Sequence, residues 1–204
     1  MNWFGRSFLL TEFPVRKEIR GIGLSDDPRY ADVLANKFDF VNTFYDREPF
    51  FDITDSSCGN AESLDFVIAS EVFEHITPPV GPAFENLFRL LKPNGFVAFS
   101  TPWVPDGDTR EHFPNLYDWT LAKLKEEFVL VNKTREGKLE AFDKLCFHGG
   151  PGQTLEMRLF SRSALEQHFR DAGFRSIDFG TAPAREFGIV FSEPWSLPCL
   201  VKKT

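Results

Sequence analysis

The sequence predicts an α/β protein built on a mostly parallel central sheet, and three observations predict it. Leu64–Ile76 (LDFVIASEVFEHI) begins with a short unbroken apolar run, the pattern of a strand buried on both faces. A helix with Ala83, Leu87, Leu90 and Leu91 on one side follows Pro78–Pro79 and Pro82, is stopped by Pro93-Asn94-Gly95, and leads into Phe96–Ser100 (FVAFS) as the next strand. Near the end the α/β order returns: Ser163 and Glu166 have capping-box spacing, Leu165, Phe169 and Ala172 form a face, and Gly173 suits a C-cap.

Taken in order, the first segment, Met1–Lys17, is too rich in Trp3, Phe4, Phe8, Leu9, Leu10 and Phe13 to be a free tail and is expected to pack on the rest. Ile19–Asp26 reads as a strand running into a loop. A helix starts at Pro28, with Tyr30, Val33, Leu34 and Phe38 recurring at helical spacing. Phe40–Tyr45 and Phe50–Thr54 read as two further strands, and Gly59–Asn60 marks the loop before the central one. Residues 103–159 form an insertion in which Phe128–Thr134 and Lys138–Phe142 flank a three-residue turn, a β-hairpin pattern, ahead of the loop Phe147–Gly152. An insertion of this length between sheet elements reads as a substrate lid on a single domain spanning 1–204. Strands at Ser176–Phe179, Gly188–Phe191 and Leu197–Val201 close the chain.

Composition narrows the function classes. With 42% hydrophobic and 26% charged residues the chain is globular, and its 24 phenylalanines must mostly fill a core. A net charge of −7 without a dense basic run argues against a nucleic-acid partner. Cys58, Cys146 and Cys199 lie far apart, matching neither a disulfide framework nor a zinc spacing, so reduced thiols in a cytoplasmic protein are expected. No apolar run is long enough for a membrane span.

The polar residues of LDFVIASEVFEHI arrive where the strand ends, at the edge on which open α/β sheets hold ligands. Glu71 and His75 share a face if the chain turns helical there; a helix start favoured by acids is the plainer reading. FDITD, LDFVIASEVFEHI, LLKPNGFVAFSTP and the final helix–Gly-Phe–hairpin order together resemble class I S-adenosylmethionine-dependent methyltransferases, in particular the methyltransferase type 11 group. The resemblance implies a Rossmann-like methyltransferase sandwich with a C-terminal antiparallel hairpin and S-adenosyl-L-methionine as cofactor. It implies that Gly21, Gly23 and Ser25 form the loop under the methionine part, that Asp26 is among the strand-end acids that bind the cofactor, and that Asp46 or Glu48 holds the ribose hydroxyls. Asp52 or Asp55 would then sit by the adenine amino group with Ile53 against its ring, and Ser70 and Glu71 would line the centre.

The first motif departs from the family pattern, keeping only Gly-Ile-Gly-Leu-Ser, and Asp46–Pro49 has no room for a crossover helix. A second register therefore stays open, in which Ile19–Asp26 is the second strand. In-line methyl transfer needs a general base only when the acceptor must lose a proton. His148 is the first candidate, for its place in the insertion, followed by His112 and His75. Their separation along the chain argues against a metal site. The acidic charge and aromatic insertion point to a small molecule or sugar-containing metabolite as acceptor, with the oligomeric state open. The alternative is a non-catalytic protein of this fold acting as a partner or assembly module. A nicotinamide-dependent oxidoreductase is less in keeping, since no Gly-x-Gly-x-x-Gly follows a strand.

Overall fold

β1 (Arg16–Leu24) runs into α1 (Pro28–Lys37), whose start is set by Asp27: its carboxylate accepts from the Arg29 N–H at 2.8 Å, and Pro28 takes the first turn. The computed structural model describes residues 9–180, 183, 185, 189–190 and 198–204. β2 (Phe38–Thr43), β3 (Leu64–Ser70), α2 (Gly81–Leu90) and β4 (Leu91–Ser100) follow. The insertion contributes β5 (Trp103–Val104), β6 (Arg110–Glu111), β7 (Asp118–Leu124), β8 (Glu127–Lys133), β9 (Leu139–Phe142), β10 (Phe147–His148) and β11 (Thr154–Leu155). β12 (Arg158–Ser161), α3 (Arg162–Ala172), β13 (Ser176–Phe179) and β14 (Cys199–Lys202) complete the order.

The main sheet runs β13-β14-β4-β3-β1-β2. β2, β1, β3 and β4 are mutually parallel, whereas β14 is antiparallel to β4 and β13 to β14. Alternation along β3 serves both faces. Val67 and Ala69, each with no exposed surface, face the larger core with Leu87 of α2 and Leu165 and Phe169 of α3. Phe66 and Ile68 face a second core with Ala31 and Leu34 of α1. Helices thus cover both faces, which is why the β3 sequence is apolar without a break.

Phe66 stacks between Phe40 and Phe96 with ring centroids 5.8 Å away on each side, and it lies against Gly21 so closely that a Cβ there would meet its ring at 2.4 Å. The two glycines of β1 are therefore strand residues. Gly21 and Gly23 were expected in the loop after the strand, but β1 continues through Leu24 because the missing side chains leave room for neighbouring groups. Since β1 pairs directly with β3, and β2 lies outside it, Ile19–Asp26 belongs to the first strand of the order and not the second.

Other boundaries differ for local reasons. Phe50–Thr54 is not a strand; only an isolated Phe44–Phe50 bridge remains, and among the described residues no helix joins β2 to β3. Asp52 and Asp55 spend their carboxylates on turns, accepting from Thr54 and Ser57. The cap of α3 is Ser161, whose hydroxyl accepts from Ala164 N–H at 3.2 Å, and not Ser163. Gly173 ends α3 at φ 113°, as expected. The hairpin forms as β8–β9, but β7, unanticipated, makes it a three-stranded sheet. Leu10 and Phe13 pack on the α1 side of the sheet. The strand expected at Gly188–Phe191 falls across residues outside those described. No helix among the described residues is long and apolar enough to cross a membrane.

Candidate active site

The carboxyl edge of the parallel strands is built from two loops. After β1 the chain turns at Ser25, a non-glycine residue at φ 59°. Asp26 follows, and Asn42 of β2 holds its backbone on both sides: Asp26 N–H donates to the Asn42 side-chain oxygen at 2.9 Å, and the Asn42 amide donates to Asp26 O at 2.8 Å. The Asp26 carboxyl folds back over Gly23, where a Cβ would meet Oδ2 at 2.0 Å. Tyr30 donates its hydroxyl to Oδ1 at 2.8 Å, while Oδ2 is buried without a hydrogen-bond partner among the described residues. Burial pushes the Asp26 carboxyl up to about 6, against the lowering effect of the Tyr30 hydrogen bond.

The second loop follows β3. The β1–β3 register, Gly23 opposite Ile68, brings Ser25 and Ser70 to the same level. The Ser70 and Ser100 hydroxyls are 2.8 Å apart, and Ser100 donates to Glu71 Oε1 at 2.9 Å. Glu71 is exposed and sits at φ 54°, its N–H donating to Ser100 O. Ser25, Asp26, Ser70 and Glu71 are thus brought to one edge. The other expected cofactor residues are placed differently. Asp46 is exposed in the loop after β2 beside Arg47, Glu48 accepts from Phe50 N–H, and Ile53 is buried in the larger core with its carbonyl bound by Asn86. The loop that carries them has no strand to hold them at the edge, so Ile53 is core and Asp46 is surface.

Just beyond Glu71, the 3-10 turn Phe73–His75 meets the returning end of the insertion. Met157 N–H donates to Glu74 O at 2.7 Å. Arg158, 1% exposed, donates to Phe73 O, Ile76 O and the Glu111 carboxylate, satisfying the carbonyls of the turn. This clamp gathers all three candidate histidines, distant in sequence, around two buried carboxylates. His75 Nε2 lies 3.5 Å and His148 Nδ1 3.6 Å from Glu74 Oε1. His148 Nε2 lies 3.1 Å from Glu156 Oε2, and His112 Nε2 2.7 Å from Glu156 Oε1.

Burial pushes the Glu74 carboxyl up to about 8, with the charges of Glu71 and Glu156 adding to it and a Thr101 hydrogen bond opposing. Burial also holds His75 below the ordinary histidine value. At Glu156 burial acts upward, but the hydrogen bonds and charges of His112 and His148 outweigh it and the carboxyl is lowered. Glu74, His75 and His148, and separately Cys146, His148 and Glu156, bring potential ligand atoms within 4.8 Å of one another, so separation along the chain is no ground against a metal site. Sequence reasoning passed over Glu74 and Glu156 as site residues. The available signal was Glu156-Met157-Arg158, an acid and a base in a segment otherwise reading as core.

Residues 13–178 match the family model described as a methyltransferase domain. The chain belongs to that family. It has the class I S-adenosylmethionine-dependent methyltransferase fold. Solved methyltransferases share it at low sequence identity. 1,6-Didemethyltoxoflavin-N1-methyltransferase of Burkholderia thailandensis, crystallised with 1,6-didemethyltoxoflavin and S-adenosylhomocysteine, aligns with a TM-score of 0.52 at 15% identity, over 94% of this chain and 72% of that one. An S-adenosylmethionine-dependent methyltransferase of Clostridium acetobutylicum aligns at 0.51 and 13%, over 89% and 82%. The amino pentose methyltransferase CalS10 of Micromonospora echinaspora, with S-adenosylmethionine bound, aligns at 0.50 and 14%, over 91% and 84%. No curated protein matches the chain.

S-adenosylmethionine is the cofactor of this family, and the edge of the methyltransferase sheet fits it. A sulfonium cation with an ammonium group and a ribose diol calls for carboxylates and close backbone approach. Asp26 Oδ2, buried and without a hydrogen-bond partner among the described residues, is the kind of acceptor such a donor needs, and Glu71 offers a second, exposed carboxylate.

Proposed function

We propose that this chain transfers a methyl group from S-adenosylmethionine to a small molecule or sugar-containing metabolite. The observation that carries the reading is the orphaned Asp26 Oδ2 at the carboxyl end of β1, level with the Ser70–Glu71 turn of the family fold. The cofactor supplies an electrophilic methyl group. Asp26, Ser25, Ser70 and Glu71 hold it, the acids accepting from its ammonium and hydroxyl donors. Residues 103–159 form the acceptor lid, an arrangement supported by the bonds that tie Leu155–Arg158 to the turn beside the edge. His148, with its side chain 32% exposed, is the first base of the cluster, and His112 and His75 stand behind it at 27% and 14%. Lining up acceptor and methyl carbon is the main contribution asked of the protein. Similarity to methyltransferases acting on 1,6-didemethyltoxoflavin and an amino pentose supports the small-molecule or sugar class.

A second reading is a non-catalytic partner module, favoured by one feature: the Asp26 carboxyl itself fills the space above Gly23. Calorimetric titration with S-adenosylmethionine and S-adenosylhomocysteine separates the two. The enzyme reading expects saturable binding that Asp26→Asn weakens at least tenfold, and radiolabelled methyl transfer to a member of a glycoside or heterocycle panel. A folded chain that takes up neither cofactor form leaves the module.

A further inference from the structure

We propose that Glu74, His75 and His148 form a site for a divalent transition-metal ion of the zinc class, each giving one ligand atom. The donors are Glu74 Oε1, His75 Nε2 and His148 Nδ1, all within 4.8 Å of one another. Oε1 is 3.5 Å from the first nitrogen and 3.6 Å from the second. Ligand atoms at ~2.1 Å from a tetrahedral zinc stand about 3.4 Å apart, so these spacings need little adjustment. They are long for hydrogen bonds, and Oε1 has no hydrogen-bond partner among the described residues on a side chain with no exposure. A carboxylate oxygen buried in that way is costly unless something compensates it.

The far side of each ligand is already anchored. Thr101 donates to Glu74 Oε2 at 2.8 Å. His75 Nδ1 is 2.9 Å from Leu155 O, a carbonyl that can only accept, so Nδ1 carries the proton and Nε2 presents its lone pair. His148 Nε2 faces the Glu156 carboxylate at 3.1 Å, which by the same logic leaves Nδ1 of the neutral ring as a lone pair. Glu156 in turn is held by His112 at 2.7 Å. Hydrogen bonds to the non-ligating atom of histidine and carboxylate ligands are what metal sites use to set tautomer and direction. The rival set of Cys146, His148 and Glu156 is less suited, because both Glu156 oxygens already accept from histidines and Cys146 is exposed.

Three protein ligands leave a coordination position open, the pattern of catalytic zinc sites rather than structural ones. The role that follows rests on the methyl-transfer reading; the binding does not. An ion there would lower the pKa of an acceptor hydroxyl so that its proton is lost to solvent before methyl transfer, and His148 would serve as a ligand instead of a base.

The test uses the full, tag-free chain, stripped with chelator and titrated with zinc(II) by calorimetry and with cobalt(II) by visible absorption, without cofactor. The expected result is one ion per chain with the intense d–d bands of a low-coordinate cobalt site. Glu74→Gln and His148→Ala each weaken uptake more than tenfold, Glu156→Gln weakens it about tenfold, and Cys146→Ser leaves it unchanged. A folded wild-type chain showing neither heat nor bands overturns the proposal, whatever the variants do. So does undiminished uptake by folded Glu74→Gln and His148→Ala, or loss confined to Cys146→Ser. S-adenosylhomocysteine titrated into the same samples keeps the questions apart: metal uptake without cofactor binding removes the methyl-transfer reading and leaves the metal site standing.

Discussion

The two loops at the sheet edge are built alike and finished differently. Each turns on a non-glycine residue with positive φ, Ser25 after β1 and Glu71 after β3, and each is followed by a buried carboxylate, Asp26 or Glu74, with one oxygen unpaired among the described residues. The side chains that hydrogen-bond Asp26 are neutral, Tyr30 and Asn42, and belong to the sheet and its first helix. Around Glu74 they are His75 and His148, with Glu156 and His112 behind, and most come from the insertion. The first environment suits the ammonium or hydroxyls of a small cationic ligand; the second suits a proton or a metal ion. The difference teaches that one carboxylate is set by the sheet and its first helix alone, whereas the other is set by side chains that the insertion brings to the sheet. Under the proposed function these are the cofactor end and the acceptor end.

If the acceptor end is held from outside, cutting the clamp should damage it most. Arg158→Met removes a buried guanidinium and takes this donor from Ile76 O and Glu111, leaving Phe73 O with only the Ile76 N–H, so urea unfolding should show a loss of about 3 kcal/mol. Any S-adenosylhomocysteine binding that survives should change less than metal uptake; an equal loss of both would erase the distinction between the loops. Gly23→Ala does the converse. Its Cβ would meet Asp26 Oδ2 at 2.0 Å and the Phe40 ring at 2.8 Å, expelling the carboxyl at a cost of about 1–3 kcal/mol. Cofactor affinity should fall more than tenfold while cobalt spectra stay as in the wild type.

Asp26 also predicts a pH dependence. Its carboxyl is raised from 3.8 to about 6 in the folded chain, so the folded state holds the proton longer than the unfolded one. Its contribution is most favourable below 3.8 and is lost as pH rises to about 6, on the order of 2 kcal/mol in all. Chemical denaturation across that window should show the decline, and Asp26→Asn should make it shallower, leaving the part that Glu74, raised from 4.5 to about 8, contributes. Binding of a cationic cofactor should run the other way, strengthening as the carboxyl ionises. The smallest effect is expected at Ser100→Ala, which removes the hydroxyl between Ser70 and Glu71 and should cost about 1 kcal/mol in a thermal or urea melt.

Much of the scaffold was legible because its signals are local. The unbroken apolar run of β3, Pro28 at the start of α1 and Gly173 at the end of α3 each report their own geometry. The glycines of β1 misled for a physical reason: a missing side chain serves a close approach of Phe66 or Asp26 as well as it serves a turn, and the sequence does not say which. Asp26 and Glu71 could be found from their place at strand ends. The strand expected at Phe50–Thr54 does not form, so Asp46 lies on an exposed loop and Ile53 in the larger core, placements the local pattern did not announce. The meeting of His75, His112 and His148 depends on Arg158 and the Leu155 carbonyl closing the insertion onto a 3-10 turn, contacts between segments far apart in the chain that no local pattern encodes.

The most direct measurement is a crystal structure of the chain soaked with S-adenosylhomocysteine. The account predicts the adenosyl and homocysteine groups lying across Ser25–Asp26 and Ser70–Glu71, with Asp26 Oδ2 accepting from the ligand. A ligand bound elsewhere, or none bound with Asp26 still folded over Gly23, would contradict it.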